Sequence, residues 1–185
     1  MPYFLRKSRI DPILYEVMDE KDVIKEVPVP FKLYKWPRAF PSLQRIEEWL
    51  QEEEKKLAKQ TAYRLLKVKR QSTSEIMRKL MQRGFSEEIS QQTTNELKGL
   101  GFINDEDYNE SLIASELKRG HGPFYIEMKL RSLGLNSRAV RQTITEEMQR
   151  EAIRKLLPKL KNPVSALQRR GFDLDLISSE LKNFI

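Results

Sequence analysis

The chain has 185 residues, a formal net charge of +7, 33% charged residues and no cysteine. Without cysteine the chain cannot form disulfide bonds, thiol nucleophiles or zinc–thiolate sites, and its single histidine excludes a histidine-rich metal site. No stretch is apolar enough to span a membrane and no apolar run follows the basic N-terminal residues, so we expect a cytoplasmic protein.

The first 41 residues are rich in proline and in β-favouring side chains, which disfavours helix. Two short strands are predicted over residues 13–17 and 23–29, with the polar segment 19–22 as the turn between them. The run 31–36 then alternates aromatic or apolar residues with lysine. This alternation fits an extended segment that packs its aromatic rings on helices, and it also fits one that stacks on bases and binds phosphates.

A pattern of leucine, three further residues, glycine and an apolar residue recurs three times in the rest of the chain. Its copies are residues 80–85, 130–135 and 167–172, and each follows a stretch with helical periodicity. Glycine just past a helix can adopt the left-handed conformation that ends the helix, and a residue able to cap the next helix follows each copy. These capping residues are Ser86, Asn136 and Asp173. The repetition predicts three related units of three helices.

The sequence therefore predicts a mainly α protein, with tandem three-helix repeats in an elongated curved array after a short β-like N-terminal extension. Residues 1–58 are predicted to hold the extension, with its β-hairpin, and a linking helix that begins after Ser42. The first repeat, residues 59–103, is predicted to begin with its own helix around residues 62–68. The remaining predicted repeats cover residues 104–148 and 149–185, of which the last is compressed.

Charge alternates in blocks along the repeats. Residues 61–83 carry seven basic side chains against one acid, residues 84–117 one lysine against eight acids, and residues 118–141 six basic side chains against one acid. A basic surface of this kind either binds a polyanion or only solvates the helices. Because stacked repeats place equivalent helices along one side, we expect a binding surface on the second helices and the turns near them. Its candidate residues are Arg70, Arg78, Lys79, Arg83, Lys118, Arg119, His121, Lys129, Arg131, Arg138, Arg141, Arg169 and Arg170.

The acidic segment 105–116 has oxygen-bearing side chains at the spacing of a calcium loop. Glu110, however, stands where the sharp turn of that loop needs glycine, and a helical rhythm of apolar residues runs through the segment. The consecutive acids at 105–107 would point in different directions on a helix, which argues against the metal cluster of a nuclease. Capping of a helix by Asn104 or Asp105 explains the segment better.

His121 lies between two glycines and has no cysteine, second histidine or evident nucleophile as a partner in the sequence. No glycine-rich loop that could hold phosphates is present either. We therefore expect no enzyme, no catalytic residue, no cofactor and no bound metal.

Helix, glycine turn and helix is also the outline of a helix-turn-helix protein that reads DNA. A recognition helix needs hydrogen-bond donors at its N-terminal end, whereas the first repeat begins that helix with two glutamates after Ser86, and the third has Asp173 and Asp175. Suitable donors occur in the second repeat alone, namely Asn136, Arg138, Arg141 and Gln142. A DNA-binding repressor and a helical adaptor between proteins remain the alternatives.

Three motifs within residues 60–145 carry a family resemblance. Residues 66–85 read Leu-Lys-Val-Lys-Arg-Gln-Ser-x-x-Glu-Ile-x-x-Lys-Leu-x-x-x-Gly-Phe, residues 101–108 read Gly-Phe-Ile-Asn-Asp-x-x-Tyr, and residues 120–134 read Gly-x-Gly-Pro-x-x-Ile-x-x-x-Leu-x-x-x-Gly. Together they resemble RecX, the family of proteins that regulate the RecA recombinase. The resemblance is weaker in the third repeat, and Asn104 stands where aspartate is common in the family.

The resemblance implies three tandem three-helix repeats that lodge in the groove of the RecA filament on DNA. It implies a regulator that modulates the ATPase and strand-exchange activities of RecA without catalysis of its own. We expect this modulation to be inhibition. Such a role belongs to homologous recombination, DNA repair and the SOS response. The implied partners are RecA or the RecA–DNA filament, with single- or double-stranded DNA as a further direct partner, no membrane and a monomeric state.

Overall fold

The computed structural model describes residues 2–184, so Met1 and Ile185, which belong to the first and last predicted domains, lie outside the described residues. Within residues 2–184 the chain forms a three-stranded sheet followed by nine α-helices. It divides into two compact units between Ile103 and Asn104. The predicted mainly α class with a short β-structured N-terminal extension is confirmed. None of the helices in the described part has both the length and the apolar character needed to cross a lipid bilayer.

The N-terminal extension forms an antiparallel sheet in the order β1-β2-β3. The predicted hairpin is present as β2 and β3, and its turn is held by the Asp19 side chain, which accepts hydrogen bonds from two backbone N–H groups. The sequence analysis did not predict β1, which pairs Leu5 with Val17 and brings Arg6 into an ion pair with Glu16. The strands are β1 (Phe4–Lys7), β2 (Leu14–Met18) and β3 (Val23–Pro28).

Three helices complete the first unit: α1 (Leu43–Val68), α2 (Thr73–Met81) and α3 (Glu87–Gly99). Ser42 caps α1 as predicted, and Ser72 forms the predicted capping box with Glu75 at the start of α2. The two helices predicted on either side of residue 58 are in fact one helix of 26 residues. No glycine or proline interrupts residues 43–68, and Ala58 and Ala62 continue the buried face of α1, so nothing ends the helix midway.

The segment that follows β3 packs against these helices. Phe31 and Leu33 are buried, and the Phe31 ring stacks on Phe85 with 5.6 Å between centroids. Trp36 donates its indole N–H to the backbone oxygen of Leu5 at 2.8 Å. Phe31, Leu33 and Trp36 therefore pack against the core, as one of the two sequence interpretations predicts, whereas Tyr34 is exposed.

Gly84 allows this segment to lie directly on the end of α2. It ends the helix as predicted, with φ +86°. A Cβ atom at this position would come closer than 3.0 Å to the backbone oxygen of Pro30. The glycine therefore serves both the turn and the close approach of the extension.

Within residues 104–184 the second unit contains two apolar clusters and six helices. Ile126 and Leu130 are among the buried residues of the first cluster, and Leu167 and Phe172 are among those of the second. The helix predicted after Asn136 is present but has only five residues. The helices are α4 (Asp105–Lys118), α5 (Pro123–Ser132), α6 (Ala139–Thr143), α7 (Glu146–Leu156), α8 (Pro163–Arg169) and α9 (Leu174–Phe184), with a 3₁₀ turn at Leu157–Lys159.

Asn104 caps α4 as predicted. Its side-chain oxygen accepts hydrogen bonds from the backbone N–H groups of Glu106 and Asp107 at 3.0 and 3.1 Å. The first three acids of the rejected calcium loop, Asp105, Glu106 and Asp107, thus lie in the first turn of a helix, where the helix dipole favours negative charge.

The turn between α4 and α5 contacts the turn between α8 and α9 through the backbone. Gly122 donates its N–H to the oxygen of Arg170 at 2.7 Å, and Phe124 donates to the oxygen of Gly171 at 3.1 Å. A Cβ on Gly122 would come closer than 3.0 Å to that same Gly171 oxygen. The two turns can approach this closely because both positions are glycine.

Removing residues 161–185 should lower the melting temperature of the remaining chain. Helices α8 and α9 and the turn between them supply Leu167, Ile177 and Phe172 to the last apolar cluster, so the truncation would expose Ile153 and Leu157 to water. Thermal melts followed by circular dichroism measure the effect. As a control, glutamine at the exposed positions Lys161 and Lys182 should leave the melt unchanged. Equal melts of truncated and complete chains would show that the last helices fold independently.

Candidate functional site

The first group of predicted binding residues lies on and beside α2. Arg70 and Arg78 are exposed, and neither has an ion-pair partner among residues 2–184. Arg83 is exposed as well and donates from Nη1 to the backbone oxygen of Lys79 at 2.8 Å, at the end of the helix. These three guanidinium groups are therefore available to a negatively charged partner.

Lys79 has a different environment. Its side chain is half-buried and its ammonium donates to the Gln71 side chain, whose own amide donates to the backbone oxygen of Leu65 at 2.7 Å. Burial, together with the nearby positive charge of Lys69, lowers the pKa of Lys79. Lys79 thus holds the connection between α1 and α2 and is less available to a partner than its neighbours.

A second group gathers around Glu116, which the sequence analysis considered only as a position of the rejected calcium loop. The Glu116 side chain is 1% exposed. Arg119 Nη1 and Lys129 Nζ both lie 2.8 Å from its Oε1, and His121 Nδ1 lies 2.7 Å from its Oε2. The imidazole also stacks on Tyr125, with 4.0 Å between ring centroids.

Electrostatics keep this buried carboxyl ionised. Burial by itself raises the pKa of Glu116, but the hydrogen bonds from Lys129 and His121, together with the positive charges of Lys129 and Arg119, outweigh burial and bring the pKa below its ordinary value. An ionised carboxylate only accepts hydrogen bonds, so His121 donates from Nδ1. The cluster ties the last turn of α4 to the glycine turn and to α5. His121 and Lys129 therefore stabilise the fold, whereas the Arg119 side chain remains 65% exposed.

The sequence contains a signal for this buried carboxylate. Asn109, Ile113 and Glu116 follow one another at helical spacing and all three are buried on the same face of α4. A carboxylate in line with a core isoleucine needs cationic partners, because an unpaired buried charge is very costly. The sequence analysis named Lys129 and His121 as residues that bind a partner. It did not connect either of them with Glu116.

The remaining predicted cations of the second unit differ in availability. Arg131 and Arg141 both contact Glu127, with N–O distances of 3.5 and 3.1 Å. Arg170 donates from Nη1 to the backbone oxygens of Arg119 and Gly120 at 3.4 and 3.3 Å, and so supports the contact between the two glycine turns. Within residues 2–184, the predicted residues that are exposed and have no ion-pair partner are Arg70, Arg78, Arg83, Lys118, Arg138 and Arg169.

Glu180 is a second buried carboxylate, and the sequence analysis did not identify it. Arg154 Nε lies 2.6 Å from its Oε2 and Arg150 Nη1 lies 2.7 Å from its Oε1. Hydrogen bonds from Arg154 and then from Arg150 lower the pKa of Glu180. These pairs join α7 to α9 and leave Arg150 with a structural role.

A family model described as "RecX, first three-helix domain" matches residues 58–97. Two curated relatives are named "Regulatory protein RecX". The protein from Legionella pneumophila (strain Corby) is 30% identical over 136 residues, which cover 66% of this chain and 91% of the relative. The protein from Stenotrophomonas maltophilia (strain R551-3) is 29% identical over 132 residues, which cover 64% of this chain and 81% of the relative.

Two crystal structures are similar to this one. RecX from Lactobacillus salivarius superposes with a TM-score of 0.65 at 21% identity, covering 71% of this chain and 97% of the other. A structure described as regulatory protein RecX superposes with a TM-score of 0.66 at 17% identity, covering 98% of this chain and 100% of the other. These superpositions show that the fold is shared.

Proposed function

The chain belongs to the RecX family, and on that basis we propose that it binds the RecA recombinase or the RecA–DNA filament and inhibits the ATPase and strand-exchange activities of RecA. The observation that carries the proposal is the alignment with regulatory RecX proteins over most of their length. The regulator acts by binding and performs no chemistry of its own. Through this contact it takes part in homologous recombination, DNA repair and the SOS response.

Exposed cations supply the contact in this proposal. The six unpaired basic residues lie on or beside α2, at the end of α4, before α6 and at the end of α8. A filament of protein on DNA carries a dense negative charge, so these side chains would raise the association rate and contribute to binding. Lys79, His121, Lys129 and Arg170 are excluded from this contact surface because they hold structural hydrogen bonds.

The direct test is a titration of RecA with the purified protein. The DNA-dependent ATPase rate and the yield of strand exchange should both fall as the protein is added. If both stay unchanged at saturating amounts, the proposal is wrong. Saturable binding to one DNA sequence far above random DNA would instead support the repressor alternative, and recovery of another protein partner would support the adaptor.

Reversing four exposed cations should raise the concentration needed for half-inhibition of RecA by at least about tenfold, which corresponds to about 1.4 kcal/mol of binding free energy. The variant carries glutamate at Arg70, Arg78, Lys118 and Arg138, which have no ion-pair partner in the described part of the chain. Circular dichroism should show an unchanged helical fold, because no buried charge is disturbed. Lys79 and Lys129 are left intact because glutamate at either position would break a structural hydrogen bond, to Gln71 in one case and to the buried Glu116 in the other.

The matched control reverses four exposed lysines outside the predicted surface and produces the same net charge. Lys55, Lys67, Lys159 and Lys161 are suitable positions. This control should inhibit RecA nearly as well as the original protein. Equal loss of inhibition in both variants would assign the effect to net charge and remove the predicted surface from the proposal.

A further inference from the structure

A groove runs between the extended segment at residues 30–37 and helix α1 in the first unit. Two adjoining cavities of about 500 and 470 Å³ open along it. Both are lined by Tyr34, Leu57, Gln60 and Arg64, so the two cavities form one continuous depression. Cavities of this size accommodate small organic ligands or short stretches of a polymer.

The first cavity is positively charged. Its charged lining residues are Lys32, Arg64 and Arg83, and no acidic residue contributes to its wall. None of the three cations has a carboxylate partner among residues 2–184; the Lys32 ammonium instead lies 5.1 Å from the centroid of the Tyr34 ring. Three cations without counter-charges around one cavity favour an anionic ligand.

The groove is also aromatic and apolar. Tyr34 is 61% exposed, although a ring of this size usually packs against its neighbours. Leu57, Leu65 and Phe85 form the apolar wall of the first cavity. Trp36 and Trp49 line the second cavity together with Lys35 and with the ion pair of Lys56 and Glu53, whose Nζ–Oε1 distance is 2.8 Å. Aromatic rings next to cations are the combination that holds unpaired bases and their phosphates.

The alternation along the extended segment has a direct consequence for this groove. Phe31 and Leu33 are buried in the core, so Lys32 and Tyr34 are directed to the opposite side, where they line the first cavity. One set of side chains anchors the segment and the other set lines the cavity. The two sequence interpretations of the run, core packing and base stacking, are therefore compatible.

We propose that this groove binds a short stretch of single-stranded nucleic acid, with a base stacked on Tyr34 and phosphates held by Lys32, Arg64 and Arg83. Two cavities in series fit a chain better than a single mononucleotide. Unpaired bases fit better than a duplex, because the bases of a duplex stack on each other and are inaccessible to a tyrosine ring. An acidic peptide would use the cations but gains little from the exposed aromatic rings. The proposal does not depend on RecA binding.

The test measures binding of the complete chain to a fluorescent oligothymidylate by anisotropy, in the absence of RecA. Tyr34→Ala should weaken binding by at least about fivefold, whereas Tyr34→Phe, which keeps the ring, should bind normally. Lys32→Gln with Arg64→Gln should reduce the slope of log affinity against log salt by about 1.4, or about 0.7 for each lost phosphate contact. Lys55→Gln with Lys67→Gln changes two exposed lysines of α1 outside the groove and should leave the slope nearly unchanged.

Competition experiments separate the possible ligands. Unlabelled single strand should displace the probe, while thymidine monophosphate, a duplex of equal length and a glutamate-rich peptide should displace it only at far higher concentration. Displacement by any of these three at the concentration of the single strand would overturn the proposal. Normal binding by both Tyr34→Ala and the Lys32/Arg64 variant would also overturn it. Because RecA is absent, neither result bears on inhibition of RecA.

Discussion

Replacing Gly171 by alanine should lower the free energy of unfolding of the second unit by about 2–5 kcal/mol. Two costs add at this position. The residue has φ +85°, a left-handed conformation that costs an alanine about 1–2 kcal/mol. The new Cβ would also come closer than 3.0 Å to the backbone nitrogen of Tyr125, and overpacking of this kind costs about 1–3 kcal/mol. Urea denaturation measures the change.

Two further alanine variants separate these costs. Gly101 has φ +75° but nothing within 4 Å of its Cβ position, so Gly101→Ala in the first unit should show the conformational cost alone. Gly122 has φ −84°, which alanine tolerates, but its Cβ would collide with the Gly171 backbone, so Gly122→Ala should show the steric cost alone. If Gly171→Ala costs no more than Gly101→Ala, the two turns do not approach as closely as described.

Replacing Glu116 by glutamine should lower the free energy of unfolding at neutral pH by about 1–3 kcal/mol, because Lys129 and His121 lose a charged acceptor inside the fold. The pH dependence should change too. Since the folded protein holds the pKa of Glu116 below its ordinary value of 4.5, the ionised carboxyl stabilises the fold above that pH. This stabilisation is lost as the pH falls through the lower folded pKa. The glutamine variant should therefore lose less stability on acidification, as thermal melts between neutral and acidic pH would show.

Glu151 provides the matched control. It lies on α7, is exposed and pairs with Lys155 at 2.6 Å. An exposed ion pair contributes little to stability, so Glu151→Gln should melt like the unchanged protein at neutral pH. A Glu116→Gln variant that also melts like the unchanged protein would show that the carboxylate cluster does not stabilise the second unit.

Local signals in the sequence determined most of the secondary structure. The Ser72–Glu75 capping box, the Asn104 cap and the glycine that ends α2 each depend on residues within one helical turn, so they can be recognised without knowledge of the fold. The β2–β3 hairpin is local in the same way. The resemblance to the RecX family is also confirmed. It could be recognised from the sequence because it rests on short motifs built from these caps and turns.

Contacts between distant segments are what the sequence analysis missed or misjudged. Strand β1 is too short to be recognised without its partner, and the continuity of α1 depends on a buried face that includes Ala58 and Ala62. Strand pairing and the buried face of α1 are tertiary features, and for α1 they act together with a local one, since residues 43–68 contain no glycine or proline that would end the helix.

The sequence by itself determined the caps and turns that begin or end helices such as α2 and α4, where the positive charge is concentrated along the chain and which family the chain belongs to. Only the tertiary structure decided that the turns at Gly122 and Gly171 contact each other, and that Glu116 accepts hydrogen bonds from Lys129 and His121. The physical reason is that a cation's availability depends on whether a carboxylate lies within hydrogen-bonding distance and whether water reaches the pair. Both are properties of three-dimensional packing, since Lys129 is separated from Glu116 by a turn and most of a helix along the chain.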